Sequence, residues 1–171
     1  MARAGVGGEI RIARSDELVL LGDIEEESDA RFAEVGIGPF AEDDNAGHLA
    51  RAVVVLVAED PPVGFASVEI VDGTPHIWQL SVLPFFSRLG IGTALVEGVC
   101  DWATSHGYGA VTLTTYRDVP WNAPFYHRLG FRALTELTPE LAAIRSHERA
   151  IGDDDFAPRL AMRRDLTPVV E

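Results

Sequence analysis

The chain has 171 residues, 47% of them hydrophobic and 24% charged, and its formal net charge is −13. That length and composition suit one ordinary globular domain with a sizeable core, and no run of about 18 apolar residues offers a membrane span. One cysteine, Cys100, excludes an internal disulfide and a thiolate metal cluster; the scattered histidines form no ligand pair, and an acidic surface disfavours phosphate backbones, so neither metal, membrane nor nucleic acid is an expected partner.

The first eight residues are rich in glycine and alanine and lack the apolar core of a secretory leader. They are expected to form a disordered tail, 1–8, ahead of a single domain over 9–171, and a cytoplasmic protein is the simplest expectation. Alternation over 10–13 predicts a first strand. Ser15 and Asp16 are good N-cap types for a helix that would carry Leu18, Leu21 and Ile24 on one face. The pattern weakens over 28–50, where Gly36, Gly38-Pro39 and Asn45-Ala46-Gly47 punctuate short pieces. Two strongly apolar strands follow at 52–58 and 63–71, separated by Glu59-Asp60-Pro61-Pro62. Asp72-Gly73 is a hairpin signal leading into a fourth strand at 76–83. The acidic runs Glu25-Glu26-Glu27, Glu42-Asp43-Asp44 and Asp153-Asp154-Asp155 suit solvated loops, and their charge would also draw in cationic amines.

Pro84 stops the fourth strand, and the chain turns through Ser87-Arg88-Leu89 into a helix that starts at Gly90-Ile91-Gly92. The first N–H groups of a helix have no intrahelical partner and lie at its positive end, so a strand feeding such a turn is suited to a phosphate. A P-loop would need lysine where Thr93 follows Gly92, and a dinucleotide fingerprint would need a third glycine where Leu95 stands. The stretch instead resembles motif A of the GNAT superfamily of acyl-CoA-dependent N-acyltransferases, with Ser87 in the place of the usual Arg or Gln. The helix over 90–106 places Ile91, Leu95, Val99 and Trp102 on one stripe, with Cys100 as a small packed hydrophobe. The β-branched strand at 110–115, reached through that helix, should run parallel to the fourth strand.

Asn122-Ala123-Pro124-Phe125-Tyr126-His127-Arg128-Leu129-Gly130-Phe131 resembles motif B of the same superfamily. Asn122 is a good N-cap, Pro124 sits in the first turn, and Asn122, Tyr126 and Leu129 share a face. A further strand begins after Gly130, a helix covers 139–150, and a last strand covers 159–163. The loop before Asn122 carries Arg117, Asp118, Pro120 and Trp121, which suit either a site border or a rigid surface turn.

The resemblance implies the GNAT fold, of α/β (α+β) class: a mixed, mostly antiparallel sheet of six to seven strands flanked by helices and splayed between strands 4 and 5. It implies acetyl-CoA, or another acyl-CoA, as co-substrate and direct transfer to an amine in a ternary complex, without a covalent intermediate. Cofactor contacts would come from Leu80, Ser81 and Val82 along the strand, from Ser87, Arg88, Leu89, Gly90, Ile91, Gly92 and Thr93 at the turn, and from Asn122 and Tyr126. Backbone N–H near Leu80 would hold the oxyanion, and Tyr126 would protonate the leaving thiolate. Counting back from the glycine turn puts His76 where some relatives carry a base; a strand-edge surface histidine, a water chain, or Glu69 remain open alternatives. The implied partner is a small-molecule or peptide amine, and homodimers are frequent among such proteins. The alternative is a non-catalytic acyl-CoA-binding sensor or interaction module on the same scaffold.

Overall fold

The computed structural model describes residues 9–41 and 44–167. The expected tail of 1–8 and the residues Glu42 and Asp43 of one acidic run lie outside the described residues. Seven strands form one sheet: β1 (Ile10–Ile12), β2 (Val54–Ala58), β3 (Gly64–Val71), β4 (Thr74–Val82), β5 (Ala110–Tyr116), β6 (Arg132–Ala133) and β7 (Arg159–Asp165), in spatial order β1-β2-β3-β4-β5-β7-β6. Every neighbouring pair is antiparallel except β4 and β5, which run parallel. The helical connection predicts this, because a crossover helix returns the chain to the same end of the sheet.

The helices are α1 (Leu18–Asp29), α2 (Asn45–Arg51), α3 (Ile91–Ser105), α4 (Ala123–Arg128), α5 (Pro139–Ala150) and the short α6 (Asp153–Phe156). All five residues of β2 are buried because both faces of the sheet are covered. Val54, Leu56 and Ala58 join Leu95, Val96 and Val99 of α3 in the main core, while Val55 and Val57 pack with Leu21 and Ile24 of α1. The two-residue period of a strand thus divides β2 between the two layers. At Gly98 helix and sheet come very close: a Cβ there would lie 2.9 Å from Ile10 Cγ2.

Three local findings differ from the sequence expectation or sharpen it. Neither Ser15 nor Asp16 caps a helix, because the chain enters α1 through a 3-10 turn, Ser15–Glu17. There Glu17 is buried, accepts from the Arg14 N–H at 2.8 Å and is paired with Arg11. The uncertain 28–50 segment holds a 3-10 stretch, Ala30–Val35, and α2, whose N-terminus is capped when Asp44 Oδ1 accepts from the Gly47 N–H at 2.9 Å. The Asp72-Gly73 hairpin has φ of 51° and 74°, the left-handed pair that matches strand twist. The carboxylate of Asp72 also accepts from the Glu140 and Leu141 N–H groups, so one turn closes a hairpin and caps α5.

Candidate active site

Strands β4 and β5 pair at only two positions, His76 with Thr112 and Ile77 with Leu113. Immediately beyond, β4 carries a bulge: Ser67 and Val68 of β3 face Gln79 and Ile77, leaving Trp78 as the extra residue. A bulge bends and twists its strand, and here the bend coincides with the split. From Trp78 to Val82 the β4 edge facing β5 has no strand partner. Unpaired N–H and C=O groups therefore border a cleft, ready to bond an extended polar ligand.

Two cavities open along that cleft. One, of about 450 Å³, runs past Leu80, Val82, Phe86 and the turn to α3; the other, of about 250 Å³, lies above the split and reaches His76, Asn122 and Tyr126. Ser28, Leu80 and Trp121 line both, so the two adjoin.

Ser87, Arg88, Gly90, Ile91, Gly92 and Thr93 line the first cavity. Gly90 is the N-cap of α3 with φ 83°, a conformation that glycine adopts without strain, and no side chain caps the helix. The N–H groups of Ile91, Gly92 and Thr93 consequently have no intrahelical partner at the positive end of a 15-residue helix. Arg31, Arg88 and Arg128 add guanidinium groups to the same lining. Ser87 does not take over the missing cation's place: its hydroxyl donates to the Pro84 carbonyl at 2.7 Å. Leu89 is 46% exposed and lines neither cavity. Ser81 also lines neither; it is buried and its hydroxyl accepts from Gln79 Nε2 at 2.9 Å.

The second cavity gathers the candidates for chemistry. Tyr126 is buried between Phe125 and Phe131, whose ring centroids lie 5.1 and 5.7 Å away. Among the described residues its hydroxyl makes no hydrogen bond, and burial pushes the phenol above its usual range, so it stays protonated. Asn122 precedes α4 as expected, but its side chain does not cap the helix; its Oδ1 is buried without a partner on the cavity side of the loop. Gly130 leaves the helix region with φ 92°, and Phe131 is fully buried.

His76 is not a surface residue. It is 2% exposed, Nδ1 shares a hydrogen bond with Thr112 Oγ1 at 2.8 Å, and burial lowers its pKa to about 4. Across the cavity, Glu148 Oε2 accepts from Thr114 Oγ1 at 2.7 Å and from Arg159 Nη2 at 2.8 Å, while Arg145 bridges Glu148 and Asp154. This network holds α5, α6 and β7 against the open end of β5. Glu69, weighed as a base, is instead paired with His48 at 2.7 Å and does not line the cavity.

Helix α1 contributes what the sequence reading did not foresee. Glu25, Ser28, Asp29 and, just beyond, Phe32 line the second cavity. The signal was present: the helical spacing of Leu18, Leu21 and Ile24 continues through Glu25 and Ser28 to Phe32, so polar residues fall on a face that would otherwise be core. Phe32 in turn contacts Phe40, Tyr116 and Trp121 at centroid distances of 5.3, 5.7 and 5.6 Å. Trp121, from the loop before α4, is covered on one side by the Arg31 guanidinium at 4.4 Å.

The family model described as acetyltransferase (GNAT) family matches residues 18–131, which contain the split, the glycine turn and Tyr126. Similar solved structures include a GCN5-related N-acetyltransferase from Rhodopseudomonas palustris, with TM-score 0.67 at 19% identity over 97% of this chain and 99% of that one. An acetyltransferase of the GNAT family from Staphylococcus aureus matches at TM-score 0.66 and 16% identity, over 93% and 99% of the chains. The PaiA N-acetyltransferase from Thermoplasma acidophilum, solved in complex with coenzyme A, matches at TM-score 0.62 and 18% identity, over 92% and 98%. At these identities the likenesses speak for the fold.

Proposed function

The chain belongs to the GNAT acetyltransferase family, and from that premise we propose that it is an N-acetyltransferase, moving the acetyl group of acetyl-CoA directly to an amine in a ternary complex. One observation carries the reading. The partnerless edge of β4 borders both cavities, one holding the free amides at the start of α3 and the other lined by Tyr126.

The donor set fits the co-substrate. Free N–H groups at Ile91, Gly92 and Thr93, with Arg88 beside them, suit a pyrophosphate. The Leu80 to Val82 edge offers backbone donors and acceptors to a chain of amides, and Val82, Phe86 and Phe125 offer apolar wall. Asn122 Oδ1, buried and unpaired, could accept a hydrogen bond without giving one up. Bound acetyl-CoA supplies an activated thioester.

The protein's own groups then have separable tasks. Tyr126 keeps its proton near neutral pH and lines the cleft, from where it can pass that proton to a departing thiolate. Backbone N–H groups of the open β4 edge can stabilise developing negative charge on a carbonyl oxygen. His76 is neutral near pH 7, so it can pass a proton along but is a poor terminal base. No side chain needs to form a covalent bond: Cys100 is buried in α3 with its thiol pushed up to about 11.

Calorimetric titration with acetyl-CoA, on the wild type and on Gly92→Glu, tests the reading. The wild type should bind and the variant should not. A wild type that binds neither acetyl-CoA nor CoA would sink it.

A further inference from the structure

We propose that Asp29 anchors the ammonium group of the acceptor, and that the acceptor is a small amine with an apolar or aromatic body and no carboxylate. This rests on the acetyltransferase reading and names the substrate class of that same site.

Asp29 is placed badly for stability and well for a cation. It is the last residue of α1, and the chain runs on from it directly into the 3-10 stretch Ala30–Val35. It is half-buried, caps nothing, and has no hydrogen-bond or ion-pair partner among the described residues. Its surroundings raise its pKa from 3.8 to about 6 through desolvation, so it is still ionised at neutral pH. A half-buried carboxylate without a partner still bears part of the cost of desolvation. An incoming ammonium would meet it with charge and hydrogen bonds together.

The other carboxylates of the cavity are engaged. Glu148 is held by Arg145, Arg159 and Thr114, and Glu25 and Asp153 each have partners. That leaves Asp29 as the unpaired anion of the lining among the described residues. The positive charge on the same lining is already matched: Arg159 is paired with Glu148 at 2.8 Å and its guanidinium lies 4.4 Å from the Tyr116 ring centroid, although its Nε is a buried donor without a partner. An amine therefore finds an unmatched counter-charge here, whereas a carboxylate on the acceptor would meet only the Nε of an arginine whose charge Glu148 already balances.

Shape and lining decide the rest of the acceptor. The cavity, at about 250 Å³, lies at the small end of ligand sites, which run from roughly 300 to 1,000 Å³. Besides Asp29 its lining includes Phe32, Phe40, Trp78 and Trp121, rings that favour an apolar or aromatic body and also stabilise a nearby cation. Tyr126 lines the same cavity, so an amine held by Asp29 shares a chamber with the acid.

The probes are 2-phenylethylamine, L-phenylalanine and a short unblocked peptide, assayed by thiol release from acetyl-CoA, with acetyl-CoA affinity measured separately. Wild type should use 2-phenylethylamine with kcat/KM at least about 10-fold above that for phenylalanine, the discrimination expected of an unmatched charge. Asp29→Asn should raise KM for 2-phenylethylamine about 10- to 100-fold, as loss of a charged hydrogen bond implies, with a smaller change in kcat and unchanged acetyl-CoA affinity. Asp29→Glu should recover part of that loss. Preference for phenylalanine or the peptide, or an Asp29→Asn variant with unaltered KM, would overturn the proposal while leaving the acetyltransferase reading intact. Failure of the wild type to bind acetyl-CoA would overturn that reading, and this proposal with it.

Discussion

Ile77 pairs with Leu113, and no pair between β4 and β5 follows it. The next residue on β4, Trp78, is the bulged one, so the same residue that re-aims the strand also lines the second cavity. The extra residue in the β3–β4 ladder thus falls where β4 and β5 part, and the candidate site is arranged around that point.

Gly92 separates ligand effects from folding effects. Its φ is not in the left-handed region, and a Cβ there would meet only Phe125 Cζ at an ordinary 3.6 Å. Gly92→Glu should therefore fold normally by circular dichroism, yet lose acetyl-CoA affinity by about 100-fold or more, because a carboxylate would face the anion the amides are meant to hold. Unchanged affinity would remove the start of α3 from the site.

Tyr126→Phe tests the acid. Acetyl-CoA binding should persist, since the ring packing against Phe125 and Phe131 is kept, while kcat should fall about 10²- to 10⁴-fold, the usual worth of a positioned acid. Full turnover by the variant would take Tyr126 out of the mechanism. Tight acetyl-CoA binding by the wild type with no transfer to any amine would instead favour the binding-module alternative.

His76 and Asp29 pull the pH dependence of stability in opposite directions. The folded pKa of His76, about 4, is below the ordinary 6.5, so the unfolded chain binds its proton first and stability falls as pH drops from about 6.5 to about 4. At most about 3 kcal/mol is involved, and His76→Gln should flatten this limb in urea melts taken from pH 7 to pH 4. A limb that survives the substitution would mean His76 is not buried neutral.

The folded pKa of Asp29, about 6, is above the ordinary 3.8, so stability falls as pH rises from about 3.8 to about 6 and the cost is fully present above that. Asp29→Asn should stabilise the protein at pH 7 by about 1–2 kcal/mol, after allowing for its partial exposure, and the gain should shrink to nothing near pH 4. A destabilised variant would show that Asp29 has a structural partner after all.

Gly98 is where α3 crosses β1 and β2 with least clearance. Gly98→Leu should cost about 1–3 kcal/mol by overpacking, measured by chemical denaturation, because Ile10 Cγ2 and Leu56 Cδ1 already lie 2.9 and 3.3 Å from where a Cβ would sit. Unchanged stability would mean that β1 yields freely.

Much of this was legible in the chain itself. Strand runs, the Asp72-Gly73 hairpin, the helix after Gly90 and the parallel placement of β5 all follow from local periodicity, from turn chemistry and from the length of one connection. So does the family resemblance, carried by Gly90-Ile91-Gly92 and by Asn122 to Phe131. What local pattern could not reveal concerns which polar groups end up together in the dark. His76 reads as a strand-edge histidine until the sheet and α5 close over it, and Asn122 as a cap until its Oδ1 is found buried and unbonded. Asp29 follows the acidic run Glu25-Glu26-Glu27, but in the fold it lines one cavity with Phe32 and with Trp121, which is far from it in sequence. Periodicity is a property of neighbours along the chain, and it determined the elements. Desolvation and charge pairing depend on residues that only folding brings together, and so the chemistry of the site was decided by the tertiary structure.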